Sequence, residues 1–404
     1  MFMNFEFSEN LKNVKSSEIR DLLKYTQMPG MISFGGGLPN PESFPSHEIQ
    51  EILEDIMKNY ASSALQYGQT DGLPLLKEQL KSYLSKDENI NIETDEMMVT
   101  TGSQQALYAL AKIFANPGDY VITEGPTYVG MIAALNANSV NSVSIPLDEN
   151  GMKVDLLDDK IKELKSKGKK PKFIYTIPTF QNPAGYTMTL DRRKELLDVA
   201  NDNSIPVIED NPYGDLRYSG SKIQSLKAID NYGIVTYLGT LSKVMAPGLR
   251  TGYTLSQPEV LQKFNLLKQS LDLASDSLSQ YIAYEYIKKG IIYTQIPKTI
   301  ELYRKKRDIM LESLDEEMQN ATWSRPDGGM FLWLKLKENM DTKKMLKRAI
   351  ENRIAYITGS AFYQNNPEIN TIRLNFTYSS DNDIKEGVKR LAKTINEEIR
   401  NNKN

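Results

Sequence analysis

With 404 residues, 40% hydrophobic and 25% charged, and a formal net charge of −3, the chain has ordinary globular proportions and length for a large core and two domains. The absence of cysteine excludes disulfides, a thiol nucleophile and zinc–cysteine sites, and a single histidine argues against a Ser-His-Asp hydrolase or a histidine-rich metal site, so no metal is expected. The near-neutral balance gives no sign of a nucleic-acid partner, and the most basic run, "KSKGKKPK" from Lys165 to Lys172, lacks aromatic residues for base stacking and reads as a solvated loop.

The opening stretch, "MFMNFEFSEN", carries Glu6 and Glu9 and lacks the basic start and sustained apolar core of a secretion signal. No apolar run approaches the ~20 residues that span a bilayer, so a soluble, cytoplasmic protein without a membrane partner is expected. His47 sits in the first turn of a helical pattern that continues through Ile49, Ile52, Leu53 and Ile56. From about residue 96, short apolar runs alternate with helical ones: "MMVTTG" then "SQQALYALAKIFA", "YVITEGP" then "TYVGMIAALNA", "KFIYTIP" then "LDRRKELLDVAND", then "IPVIEDNP" and "GIVTYLGT". Apolar strands without strict polar alternation, separated by helices, predict an α/β domain with a mostly parallel sheet buried on both faces.

A long helical stretch is predicted from about Pro258 to Lys289, and the character changes after Pro297. "MFLWLKL" and "TIRLNFTY" predict half-exposed antiparallel strands, since Ile372, Leu374 and Phe376 alternate with Arg373, Asn375 and Thr377. The last helix presents Ile384, Val388, Leu391 and Ile395 on one face, completing a smaller α+β domain.

Ligands of open α/β sheets bind beyond the carboxyl ends of the strands, which makes the residues there informative. Gly102, Ser103 and Gln104 open a helix whose free N–H groups suit an anion, although on this motif alone an ordinary capped helix is the commoner reading. Tyr128 follows the next strand, and Asn182 lies in the turn-rich "IPTFQNPAG". Asp210 ends an apolar strand, a costly place for a carboxylate without a cation, and Tyr213 follows three residues on. After "IVTYLG" come Thr240, Ser242, Lys243 and Arg250. Lysine for an imine bond, carboxylate for a ring nitrogen, an aromatic face and an anion cradle together suit pyridoxal 5'-phosphate.

The motifs "LQYGQTDGLPLLKE", "TTGSQQAL", "FQNPAG", "EDNPY", "SKVMAPGLRTG" and "IRLNF", in this order, resemble the pyridoxal-phosphate-dependent aminotransferases of the aspartate aminotransferase fold (class I/II), above all the branch of 2-aminoadipate and kynurenine aminotransferases. The likeness begins near Ser16 and reaches the final helix, so the N-terminal DNA-binding domain of a regulator is not expected. It implies a fold type I enzyme with a mostly parallel seven-stranded sheet, an N-terminal segment over residues 1–45, a cofactor domain over 46–290 and a small domain over 291–404.

By the resemblance, Lys243 is the lysine that bonds the cofactor and shuttles a proton from the substrate Cα. Asp210 partners the ring nitrogen, Tyr213 and Asn182 donate to the phenolic oxygen, and Tyr128 stacks on the ring. Gly102, Ser103, Gln104, Thr240, Ser242 and Arg250 hold the phosphate, with threonine at 240 where the family often has serine. Tyr67 reaches the phosphate of a second subunit, which implies a homodimer with shared sites. Arg373 grips the substrate α-carboxylate with Asn182 and the backbone around Gly36, and its strand alternation separately turns it away from the small domain's core. Arg20 either meets a distal carboxylate or is an exposed helix arginine. The implied reaction is a ping-pong transfer of the amino group from 2-aminoadipate, aromatic or large aliphatic L-amino acids to a 2-oxo acid, with 2-oxoglutarate favoured. A β-lyase on the same fold is the alternative.

Overall fold

Residues 5–8, 11, 14, 24 and 28–401 are described by the computed structural model. Their strands, in chain order, are β1 (Ile32–Ser33), β2 (Met97–Thr100), β3 (Tyr120–Gly125), β4 (Asn141–Asp148), β5 (Gly151–Met152), β6 (Ile174–Thr176) and β7 (Val207–Asp210). There follow β8 (Val235–Thr240), β9 (Gly252–Leu255), β10 (Ala321–Trp323), β11 (Phe331–Leu336), β12 (Ile354–Ala355), β13 (Ile357–Thr358) and β14 (Thr371–Asn375).

The large sheet has the order β2-β9-β8-β7-β6-β3-β4-β5. Seven of these strands form the expected sheet, and the two-residue β5 extends it through a hairpin with β4. Pairing is parallel from β8 through β7, β6 and β3 to β4, while β9 runs antiparallel between β2 and β8. Successive residues of a strand face opposite sides. Val121 and Ile208 accordingly join a core with helices Ser103–Phe114, Val129–Ala137 and Pro258–Leu271. Their neighbours Ile122 and Val207 pack with helices Val154–Ser166 and Leu190–Asp202 on the other face. Burial on both faces explains why the strand runs lack alternation.

The smaller unit is an antiparallel sheet ordered β10-β11-β14-β13. Helix Asp381–Asn401 buries Ile384, Val388, Leu391 and Ile395 and packs against helix Ile291–Glu317. The segment after residue 28 joins this unit through parallel pairing of β1 with β12.

Three expectations are corrected. The stretch from Pro258 to Lys289 is two helices, Pro258–Leu271 and Ser277–Lys288, because Leu273 takes a left-handed φ of 64° and Asp276 caps the second helix by accepting from the Ser279 N–H. Pro297 marks no boundary but lies within helix Ile291–Glu317. Strand β14 is buried at all five positions, since its polar face lies against the chain at Phe34 to Gly36 instead of water.

Candidate active site

The carboxyl ends of β3, β6, β7 and β8 deliver the predicted side chains to one cleft. Asp210, at the end of β7, is 2% exposed. Tyr175 lies opposite Ile208 in the register, so its hydroxyl reaches one residue pair along the same face and donates to Asp210 Oδ2 at 2.8 Å. Asp210 Oδ1 has no partner among the described residues. Burial pushes this carboxyl up to about 7, against the Tyr175 hydrogen bond that pulls it down.

The loop after β6 supplies Asn182. Its Nδ2 donates to the Tyr213 hydroxyl at 3.1 Å, and its Oδ1 accepts from Arg373 Nη1 at 3.1 Å. Tyr213 is buried, which holds its phenol well above the usual tyrosine range and therefore protonated. Arg373 Nη2 donates to the carbonyls of Gly35 at 2.9 Å and Gly36 at 3.5 Å, while Nε is buried without a partner among the described residues. The guanidinium lies 4.2 Å from the centre of the Phe331 ring and 5.0 Å from that of Phe362. Burial lowers Arg373 to about 10, which leaves it a cation at neutral pH.

On the other side, Gly102 takes φ +72° into helix Ser103–Phe114, and an added Cβ would stand 2.4 Å from Arg250 Nη2. The arginine thus covers the helix N-terminus, where Ser103 Oγ is buried and has no partner among the described residues. Thr240 donates to Ser242 Oγ at 3.0 Å beside this end. The Gln104 side chain turns away to donate to the Gly130 carbonyl at 2.8 Å, leaving its backbone at the helix start. Tyr128 lies against Gly130, where a Cβ would meet the ring at 2.3 Å. Lys243, half-buried after β8, points Nζ at the Gly37 carbonyl, 3.4 Å away. Burial first, then the charges of Arg250 and Arg373, lower its amine to about 8.

One predicted residue is not brought in. Tyr67 is 84% exposed, on a groove with Gln66, Ser277 and Gln280. Arg20 lies outside the described residues. Sequence reasoning missed Tyr175, Phe331 and Phe362; the alternation of "FIYTIP" against "VIEDNP" was the one available signal for the first.

The chain matches the family model for class I and II aminotransferases over residues 35–391. The chain belongs to this family. It is 46% identical over 395 residues to aromatic-amino-acid aminotransferase 1 of Thermococcus litoralis, covering 98% of this chain and 95% of that one. The crystal structure of Pyrococcus horikoshii kynurenine aminotransferase, in complex with PMP, kynurenine as substrate and its product, superposes with a TM-score of 0.94 at 47% identity, covering 97% of each chain. Thermus thermophilus alpha-aminoadipate aminotransferase, complexed with N-(5'-phosphopyridoxyl)-L-leucine, matches with a TM-score of 0.90 at 33% identity over 98% of each chain. In this aminotransferase the cleft therefore has two cationic ends, Arg250 at the helix N-terminus and Arg373 under the small sheet, with Lys243 feeling both.

Proposed function

We propose that the chain is a pyridoxal-phosphate-dependent aminotransferase that moves the amino group of aromatic, 2-aminoadipate or large aliphatic L-amino acids to a 2-oxo acid, 2-oxoglutarate foremost, by a ping-pong cycle. The observation that carries this reading is the buried Asp210 carboxyl with one oxygen unpartnered, a position that calls for a cationic N–H. Ser103 Oγ and the Arg250 guanidinium at a helix N-terminus suit the phosphate in the same way. When bound, pyridoxal phosphate supplies an aldehyde for the amine and a protonated ring that draws electrons from the substrate Cα.

The protein's part follows from its own groups. Asp210 would hold the ring-nitrogen proton: burial raises its carboxyl to about 7, and a cation placed opposite it favours the ionised form. Tyr213 and Asn182 would donate hydrogen bonds to the phenolic oxygen, and Tyr128 would lie against the ring. Lys243, lowered to about 8, has a sizeable neutral fraction at neutral to mildly basic pH, so Nζ would be the amine that binds the aldehyde and the base for the Cα proton. Arg373 keeps Nε free for the α-carboxylate while its other nitrogens are tied to Asn182 and Gly35. That rigid grip orients Cα–H for transfer to Lys243. Tyr67, exposed on this chain, fits a role in a partner's site, so a homodimer with shared sites is part of the proposal.

The test mixes purified protein and pyridoxal phosphate with single amino acids, without oxo acid, alongside Lys243→Ala. The expected result is bleaching of the visible cofactor band matched one-for-one by released oxo acid, reversed by 2-oxoglutarate and absent in the variant. Accumulation of ammonia or carbon dioxide instead would mean a lyase or decarboxylase.

A further inference from the structure

Asp210 is not the only carboxyl buried at a strand end here. Glu124, near the end of β3, is 1% exposed, and none of its hydrogen-bond partners carries a charge. Its Oε1 accepts from the Thr176 hydroxyl at 2.5 Å and the Ile177 N–H at 3.2 Å. Oε2 accepts from Gln181 Nε2 at 2.9 Å and shares the Ile177 N–H at 3.2 Å. So expensive a group is not needed to fill space, which an apolar side chain would do without the burial cost.

The bonds all run to the segment that builds the substrate end of the cleft. Gln181 Nε2 also donates to the Pro126 carbonyl at 2.8 Å, and its Oε1 accepts from the Ala184 N–H at 2.7 Å. The Gln181 amide thus has both ends fixed, one against the β3 exit that leads to Tyr128 and the other across Asn182 and Pro183. The next residue, Asn182, is the one that touches both Tyr213 and Arg373. Thr176 and Ile177 in turn directly follow Tyr175, the donor to Asp210.

We infer that Glu124 is a positioning residue for amino transfer: through Gln181 and Ile177 it fixes the loop from Ile177 to Ala184, so that Asn182 is held between Tyr213 and the carboxylate-gripping Arg373. This rests on the aminotransferase reading. The role requires acceptors facing Gln181 and Ile177, whose N–H groups only donate, whereas the Thr176 hydroxyl can donate or accept. Glutamine meets that demand with its carbonyl toward Gln181 and Ile177 and its amide toward Thr176. Alanine leaves the donors unpaired.

The test compares Glu124→Ala, Glu124→Gln, Gln181→Ala and the Glu124→Ala/Gln181→Ala double variant, each loaded with pyridoxal phosphate. It measures kcat and KM for an aromatic amino acid, the Kd of 3-phenylpropanoate, a carboxylate with no amine to transfer, and the melting temperature of the cofactor-free protein. Glu124→Ala and Gln181→Ala should each raise KM and the 3-phenylpropanoate Kd about tenfold, with kcat falling less. Glu124→Gln should stay within about threefold of wild type, and the double variant should be no worse than the weaker single, because one chain of contacts is broken twice. A lower melting temperature in Glu124→Ala with KM and Kd unchanged overturns the inference in favour of simple packing, as does full additivity in the double variant. Glu124→Gln as impaired as Glu124→Ala also overturns it, since charge and not hydrogen bonding would then be at work. Wild-type protein that transfers no amine defeats the aminotransferase reading itself, an outcome separate from these.

Discussion

The two arginines of the cleft are held in opposite ways. Arg250 is exposed, adopts a left-handed φ of 51° after a Pro247–Leu249 turn, and leans over Gly102 at a helix start. Arg373 is 1% exposed, flanked by two phenylalanines, and tied to Asn182 and Gly35. An exposed guanidinium is well solvated with or without its anion, and backbone N–H groups share the work of holding phosphate. A buried one with an unpartnered Nε is short of a hydrogen-bond acceptor until a carboxylate arrives. Anion binding at Arg373 should therefore be demanding of geometry, and at Arg250 tolerant of it.

The sharpest way to break this contrast is Arg373→Lys. An ammonium keeps the charge but cannot reproduce the fork that serves Asn182, Gly35 and the substrate together. The kcat/KM for amino acids should fall about 100-fold, within the range for disrupting a buried hydrogen-bonded charge pair, while the pyridoxal phosphate Kd stays within about twofold. Steady-state kinetics with a fixed oxo acid and a cofactor titration read the two quantities. An equal loss of cofactor affinity would show that the two ends are not separate.

Arg250→Gln should act in the complementary direction and more mildly. Cofactor affinity should fall about tenfold, with less sensitivity to salt than in wild type, because an exposed charge is screened by salt and the remaining N–H groups are not. The variant also has a signature in pH. Lys243 is lowered to about 8 chiefly by burial, with Arg250 and Arg373 adding to it. Below that pH the amine is protonated and cannot bond the cofactor. The rate at which cofactor-free protein attaches pyridoxal phosphate should therefore rise with pH through about 8 in wild type, and the midpoint should move upward when the Arg250 cation is removed. A midpoint that stays put would assign the Lys243 shift to burial and Arg373 alone.

The same contrast marks what was legible in the sequence. Residues that stand at a strand end, Asp210, Asn182 and Lys243, were readable as candidates because apolar runs locate the strands and the chain direction locates their ends. Arg373 was readable as a polar-face residue, but its strand was expected to be half-exposed. The burial of that face depends on Gly35 and Gly36, more than 330 residues away in sequence, which no local pattern encodes. Tyr175 and Glu124 were missed for a related reason: each acts through a neighbouring strand, and register across a parallel sheet is not written in either strand alone. The helix break near Asp272 is similar. Asp272 accepts from Lys268, Thr101 and Gln105, and two of those partners lie far upstream in the loop and helix at the phosphate end.

The smallest expected effect concerns the aromatic walls of Arg373. Phe331 and Phe362 both approach the guanidinium, but unequally, at 4.2 and 5.0 Å from ring centre to the guanidinium carbon. Phe331 also meets Tyr213 edge-on at 5.9 Å, whereas Phe362 packs edge-on against Trp333 at 5.7 Å. Phe362→Leu removes one ring face while retaining most of the apolar volume, so KM for amino acids should rise only about two- to fivefold, the scale of a single cation–π contact. Phe331→Leu should raise KM further and also lower kcat, since it loosens Tyr213 as well. If Phe362→Leu proves the more damaging, the guanidinium is held mainly by Phe362, and the rigidity assigned to Phe331 has to be moved there.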